Sequence, residues 1–221
     1  MKKVLITGAN RGIGLATAKK FLNEGYFVYA TCRTGQIPEL EGENLQILQL
    51  DTTSGAFIND VATVVETAGG IDILINNAGV LLDLESNVIN MQKLRDTMEV
   101  NFFGTVAVTE ALIPYINNVG SIVNLSSSMG AFSEDISANS YAPSYDISKA
   151  ALNMYTRSLA GRYVGSDLHV SSICPGWVKT DMGGPNGERA PEDAANDIFK
   201  LATSTTIPTG QFWLLGETRS W

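Results

Sequence analysis

Two cysteines and one histidine are all that this chain of 221 residues offers to thiol or imidazole chemistry. Cys32 and Cys174 fall at the ends of predicted strands, so neither a disulfide framework nor a zinc site is expected and both read as buried free thiols. The single histidine, His169, stands in a predicted strand. That excludes most histidine-built metal sites and leaves a Ser-His-Asp hydrolase with one poorly placed candidate. Hydrophobic runs are short: none reaches the length needed to span a bilayer, and the amino terminus enters the strand-like Val4-Leu5-Ile6 with no signal-peptide core. A cytoplasmic location follows as the expectation. Positive charge is scarce as well, 15 Lys and Arg against 23 Asp and Glu, for a net −8. Nucleic acid and anionic membrane both need a basic footprint, so neither is expected as a partner. Any phosphate-bearing ligand has to be caught by local features. Repeats, low-complexity runs and linkers are also missing.

What is present is an alternation of strands and helices. Strand candidates are Lys3–Thr7, Phe27–Cys32, Gln46–Leu50, Ile73–Asn76, Ser121–Leu125, His169–Cys174 and Gln211–Leu215. Between them run helical patterns at Ala16–Glu24, Ala56–Thr67, Asn101–Ile116, Tyr145–Tyr163 and Glu192–Ala202. Val4-Leu5-Ile6, Ile73-Leu74-Ile75 and Ile122-Val123 are apolar without alternation, which suits a sheet covered on both faces. The βαβ order implies parallel strands and right-handed crossovers. The expected fold is α/β, a single-domain, doubly wound parallel sheet of Rossmann type with helices on both faces. Such sheets bind ligands at the carboxyl ends of their strands.

Gly8, Gly12 and Gly14 lie in Thr7-Gly8-Ala9-Asn10-Arg11-Gly12-Ile13-Gly14, between the first strand and the first helix. Glycines there allow a tight turn and close approach of backbone to a pyrophosphate, which the helix amino terminus holds by its free N–H groups. The spacing, Gly-x-x-x-Gly-x-Gly, departs from the common Gly-x-Gly-x-x-Gly pattern, and a plain glycine-rich connector is the alternative. The second strand ends Tyr29-Ala30-Thr31-Cys32-Arg33 with no acid to accept from a ribose 2′-hydroxyl. Arg33 and Arg11, with no carboxylate competing at that corner, could fork a 2′-phosphate, which favours NADP over NAD. Further along, Tyr145 and Lys149 are four residues apart and share one face of a helix. A cation near a phenol favours the phenolate and equips the pair to exchange a proton with an alcohol or carbonyl oxygen.

With these pieces assembled, the chain resembles the short-chain dehydrogenase/reductase family over essentially its whole length. The matching residues are Thr7–Gly14, Asp51 after the third strand, Asn76-Asn77-Ala78-Gly79 after the fourth, Asn101, Ser127, Tyr145 with Lys149, and Pro175-Gly176 followed by Thr180. The resemblance implies that cofactor binding falls mainly in 1–125 and catalysis and substrate binding mainly in 126–221. It implies that Gly8, Asn10, Arg11, Gly12, Ile13, Gly14 and Arg33 meet the cofactor, that Asp51 contacts the adenine, and that Asn77, Ala78 and Gly79 border the cofactor. Ser127 would hold the substrate carbonyl, and Tyr145 would donate the proton. Lys149 would lower the Tyr145 pKa and bind the nicotinamide ribose, and Asn101 would help carry a water relay behind it. Pro175 and Gly176 end the sixth strand, with Val178 and Thr180 meeting the nicotinamide carboxamide. Ser127 is chosen over Ser126 and Ser128 because Ile122-Val123-Asn124-Leu125-Ser126-Ser127 fits the family pattern; a slip of one residue stays open. Cys174–Met182, Gly210-Gln211-Phe212 and Trp221 look most like the carbonyl reductase branch. Ser127 and Tyr145 are only 18 positions apart, so the long insertion of vertebrate members is missing. By resemblance, that leaves helices near Asn101–Ile116 and Tyr145–Tyr163 free to form a homodimer or homotetramer.

Three loops should line the substrate pocket, Gly79–Val88, Met129–Ser144 and Trp177–Pro191. They bring Leu81, Leu82, Met129, Phe132, Ile136, Trp177 and Met182, with few charges near the chemistry. Such a lining suits a small-molecule carbonyl substrate, an apolar or aromatic ketone or aldehyde, reduced with NADPH. One alternative is the 3-ketoacyl-thioester reductase of fatty-acid synthesis. The helix ends that would dock an acidic carrier read Asn117-Asn118 and Gly165-Ser166-Asp167, without arginine. An NADP-binding regulatory or signalling protein is the alternative of another class; such proteins usually lose part of the tyrosine-lysine site, which is intact here.

Overall fold

A strand that is apolar on both sides needs a helix on each side, and in the computed structural model, which describes residues 1–84, 88–133 and 141–221, the sheet is built that way. Its strands are β1 (Lys3–Ile6), β2 (Phe27–Cys32), β3 (Leu45–Gln49), β4 (Ile71–Asn76), β5 (Ile116–Leu125), β6 (His169–Cys174), β7 (Phe212–Leu214) and β8 (Glu217–Arg219). They lie in the order β3-β2-β1-β4-β5-β6-β7-β8. Every pair through β6–β7 is parallel, and β8 closes the edge antiparallel to β7. The doubly wound parallel sheet expected from the sequence is therefore present.

The helices are α1 (Gly12–Asn23), α2 (Gly55–Thr67), α3 (Met91–Met98), α4 (Thr105–Leu112), α5 (Pro143–Arg162) and α6 (Pro191–Thr203). Successive strand residues face opposite ways, so Val4 and Ile6 join Phe21 of α1 and Ile198 of α6 in one core. Leu5 turns to the other side and meets Val61 of α2, Val108 of α4 and Leu159 of α5. Each face thus fills with side chains that are fully withdrawn from water, the main favourable term for a sheet of this kind. The order reverses between β1 and β4, and the crevice outside their carboxyl ends is where this architecture places ligands.

Three elements differ from the sequence expectation. The helix expected at Asn101–Ile116 is divided. A π-helical stretch at Glu99–Gly104 joins α3 to α4, and Ile116 already belongs to β5, pairing with Ile71. Helix α3 lies in a polar stretch whose apolar periodicity is weak. Its start is set by Asn90, whose side chain accepts from the N–H groups of Gln92 and Lys93, as an N-cap should. Strand β8 follows a two-residue turn with Leu215 at φ 53° and Gly216 at φ 82°. Two positive φ values match the twist of a tight hairpin, but a leucine in the first of them gave no turn signal.

A line of polar side chains crosses the sheet interior just below the carboxyl ends. Asn76, Asn124 and Ser172 sit side by side on β4, β5 and β6. The Asn76 amide donates to Thr109 of α4 and to Asn124 (2.8 Å each). Asn124 donates to Thr156 of α5 (2.9 Å), which also accepts from Ser172 (2.8 Å). Both helices are thereby keyed to the strands at one level. Replacing Asn124 with Ala opens two of these bonds in a dry interior and should cost about 1–3 kcal/mol. An unchanged urea midpoint in that variant would show that the line does not tie the layers together.

Candidate active site

The turn after β1 is shaped by contacts that only glycine allows. Gly8 has φ 67°, and a Cβ on Gly14 would lie 2.3 Å from the Gly8 carbonyl and 2.4 Å from the Asn77 amide. Asn77 clasps the turn from the neighbouring strand, its amide donating to the carbonyls of Thr7 (2.8 Å) and Gly8 (3.0 Å). The Thr7 hydroxyl accepts in return from the N–H groups of Asn77 and Ala78. At the start of α1, Arg11 is extended and no side chain caps the helix. Free N–H groups at the helix start, beside a turn pressed close by glycine, form a cradle that fits a pyrophosphate. A cleft of about 270 Å³ opens beside it, bounded by Arg11, Gly12, Lys179, Thr180 and Asp181.

Of the two arginines expected to fork a 2′-phosphate, Arg11 instead meets a carboxylate. Arg11 pairs with Asp181 at 2.8 Å. Arg33 is exposed just past the end of β2. The sequence reading found no competing acid at this corner. Asp181 is brought there by the chain after β6, which no local pattern reveals. Both partners of the Arg11 pair are mostly exposed, and such pairs contribute about 1 kcal/mol or less, so a phosphate dianion could displace Asp181. Asp51 accepts from the backbone and hydroxyl of Thr53. Those bonds hold its carboxyl below the usual range and fix the turn into α2.

Tyr145 and Lys149 lie on the first turns of α5. The Lys149 ammonium is nearly sealed from water, donates to the Leu125 carbonyl at the end of β5 (2.7 Å), and lies 5.4 Å from the centre of the Tyr145 ring. Of the three adjacent serines, Ser127 is the one whose side chain acts on the Tyr145 phenol; its hydroxyl accepts from the Met129 N–H (3.2 Å), while the Ser126 hydroxyl is buried against the Lys149 carbonyl. Burial pushes the Tyr145 phenol above its ordinary value, and the nearby Cys174 acts the same way; the Ser127 side chain pulls it back. Burial also draws Lys149 down to about 8. The sequence reading expected the lysine charge to dominate the tyrosine. In this structure desolvation is the larger influence on both groups.

Asn101 sits in the π-helical stretch, a distortion that often marks functional positions. Its amide accepts from the Val80 N–H (2.7 Å) and donates to the Val80 carbonyl (2.9 Å) and to Ser148 (3.0 Å). The side chain is therefore committed to holding the segment after Gly79 against α5. A part in a water relay would fall to its main chain. On the opposite wall Val178 is buried, Thr180 accepts from the Gly183 N–H, and Gly176 has φ 78°.

Two side chains that sequence reasoning passed over belong to this site. Arg189 donates to the Pro175 carbonyl (2.5 Å) and pairs with Asp197 of α6 (2.6 Å), fixing the Pro175-Gly176 turn. Asp83 is buried and accepts from the Ser144 N–H at 2.6 Å, 61 residues away, in the first turn of α5. Nothing in Leu81-Leu82-Asp83-Leu84 signals that contact, and it corrects the expectation of few charges near the chemistry. Among the expected pocket residues, Leu81 and Met129 are half-buried, Leu82, Trp177 and Met182 are partly exposed, and Phe132 is 92% exposed. Ile136 lies outside the described residues. Asn10 and Ile13 flank the glycine turn as expected. His169 is at the far end of β6, against the Ile207 carbonyl. Cys32 and Cys174 are buried and free. No described helix is long and apolar enough to cross a membrane, and no metal-ligating cluster occurs among the described residues.

Comparison with known proteins agrees with this geometry. Residues 2–191 match the sequence model of the family described as short chain dehydrogenase. The chain is 28% identical to carbonyl reductase [NADPH] 1 of Mus musculus, with 94% of each chain covered. The NADPH-bound carbonyl reductase from chicken fatty liver superimposes with a TM-score of 0.91 at 27% identity, covering 100% of this chain and 99% of the other. A short-chain dehydrogenase/reductase from Burkholderia multivorans with bound NADP gives a TM-score of 0.87 at 28% identity, covering 100% and 99%.

The acid next to Tyr145 provides a test of this electrostatic picture. Burial first, and the Asp83 charge second, raise Asp146 from 3.8 to about 6 against a stabilising bond from the Ala142 N–H. The folded state therefore holds a proton that the unfolded chain releases near pH 4, and the associated stability is lost as pH rises through 6. Asp146→Asn keeps the acceptor and removes the charge. It should raise Tm relative to the unsubstituted protein at pH 8 and have little effect at pH 4, as read by calorimetry. An equal shift at both pH values would contradict the assignment.

Proposed function

Because the chain belongs to the short-chain dehydrogenase family, we propose that it is an NADPH-dependent reductase of apolar or aromatic ketones and aldehydes, with Tyr145 as the proton donor. The observation that carries this reading is the buried Lys149 ammonium 5.4 Å from the centre of the Tyr145 ring, with Ser127 acting on the Tyr145 phenol, next to an uncapped helix start. NADP as the cofactor is supported by the NADPH-named relative and by the NADPH- and NADP-bound structural neighbours. The residues that fit it are the Gly8–Gly14 turn for the pyrophosphate, Arg33 and Arg11 for the 2′-phosphate, Asp51 near the adenine, and Asn77–Gly79 along its edge. Pro175, Gly176, Val178 and Thr180 would face the nicotinamide, and Lys149 its ribose. NADPH, when bound, supplies the hydride.

This chain's residues handle the oxygen end of the reaction. Ser127 holds the substrate carbonyl oxygen with a hydrogen bond that strengthens as negative charge grows there. Tyr145 gives its proton to that oxygen as the carbonyl carbon gains hydride, leaving phenolate and alcohol. Burial favours the neutral phenol, so the donor stays loaded at neutral pH. Lys149 then faces the phenolate with its positive charge, which is worth more in a desolvated site than in water. Asn101 keeps the Val80 wall in register with α5.

The half-buried Leu81 and Met129 with Trp177 and Met182 support an apolar substrate. A homodimer or homotetramer would find Phe103, Ile147 and Met154 exposed on the π-helical stretch and α5. The test is a panel of apolar, aromatic and ketoacyl carbonyls with NADPH and with NADH, followed by cofactor absorbance. Turnover of apolar or aromatic ketones and aldehydes with preference for NADPH is expected. No turnover of any carbonyl, or a preference for ketoacyl thioesters, would overturn the proposal.

A further inference from the structure

The amino-terminal end of α5 carries an acidic contact that the reaction does not use. Pro143 opens the helix and has no N–H to offer. The next donor, the Ser144 N–H, is taken by Asp83 at 2.6 Å across a buried contact. Ala142, at the N-cap, provides no side-chain cap. The first turn of this helix is thus held by a carboxylate from the segment after β4. Helix amino termini stabilise such anions, and a buried N–H left unmet would be costly.

Asp83 is placed for more than capping. It lies three residues beyond Val80, whose backbone Asn101 grips, and that same Asn101 amide donates to Ser148 of α5. The segment from Gly79 to Asp83 is therefore fastened to α5 on both sides of Tyr145, at Ser144 and at Ser148. Fixing these two points fixes the rise and rotation of the turn between them, which carries the phenol. The second Asp83 oxygen, one Asp146 oxygen and the Ser144 hydroxyl are buried with no hydrogen-bond partner among the described residues. Nothing else in the described structure competes for the Asp83 carboxylate, and its grip on the helix is undivided.

We infer that Asp83 is a positioning residue for the reaction: its carboxylate grips the first turn of α5 and sets the Tyr145 phenol against Ser127. The inference rests on the role proposed for Tyr145. It adds a long-range determinant that touches neither cofactor nor reacting atoms.

Two substitutions separate positioning from mere stability. Asp83→Ala removes the acceptor. Asp83→Asn keeps an oxygen for the Ser144 N–H and removes the charge. Amide hydrogen exchange, read by mass spectrometry on peptides covering 141–150, should quicken at least tenfold in Asp83→Ala and stay within threefold of the unsubstituted protein in Asp83→Asn. With NADPH and the best carbonyl of the panel, kcat should fall by about 10²-fold in Asp83→Ala, the scale expected for a misplaced reacting group. The NADPH Kd should hold within twofold, and Asp83→Asn should recover most of the kcat. Unchanged exchange in Asp83→Ala would overturn the grip, whatever the kinetics. Faster exchange with undiminished kcat, or equal loss in both variants together with a weakened NADPH Kd, would overturn the positioning role. If the unsubstituted protein turns over no carbonyl, the proposed function fails, while the exchange result still decides whether Asp83 holds the helix.

Discussion

The structure depends on keeping one ammonium group almost dry. Lys149 is charged, nearly sealed from solvent and close to an aromatic ring, an arrangement that is costly unless every neighbour helps. The Leu125 carbonyl at the tip of β5 gives it an acceptor. That acceptor is free because β5 ends there and the chain turns into Ser126-Ser127. The strand tip that supplies the carbonyl therefore also presents the serine, and α5 brings the tyrosine and the lysine together. Sheet register, helix placement and charge burial are one constraint seen at three scales.

The site is assembled from pieces far apart in sequence, and buried polar side chains do the joining. Asn77 clasps the turn after β1, Asn101 clasps Val80, and Asn124 links β4, β5 and α5. An asparagine amide both donates and accepts, so it can imitate a strand edge where no strand runs. These contacts are satisfied within the protein, and in a low-dielectric interior they favour one arrangement over near neighbours. The region that must be most exact for hydride and proton transfer is thus the region most heavily cross-linked by polar contacts.

Much of this was legible in the sequence. Unbroken apolar strands such as Val4-Leu5-Ile6 announced a sheet covered on both faces, and the glycines before α1 announced a ligand turn, because both are local patterns with one physical cause. Helix α3 and strand β8 were not legible: the first is polar and tied down by Asn90, and the second hangs on a leucine at positive φ. The hidden part of the site is the long-range part. Asp181 reaches Arg11, Arg189 braces Pro175, and Asp83 reaches Ser144 only after the chain has folded. The electrostatic balance was hidden for the same reason, since burial depends on neighbours that the Tyr145–Lys149 spacing does not name.

The central claim is that the Tyr145 phenol delivers the proton. Single-turnover reduction at pH 7 by Tyr145→Phe, which keeps the ring and removes only the hydroxyl, tests it most directly. The account predicts a fall in the hydride-transfer rate of about 10²–10⁴-fold, the contribution usual for a positioned general acid, with NADPH binding retained. A rate within twofold of the unsubstituted protein would contradict it.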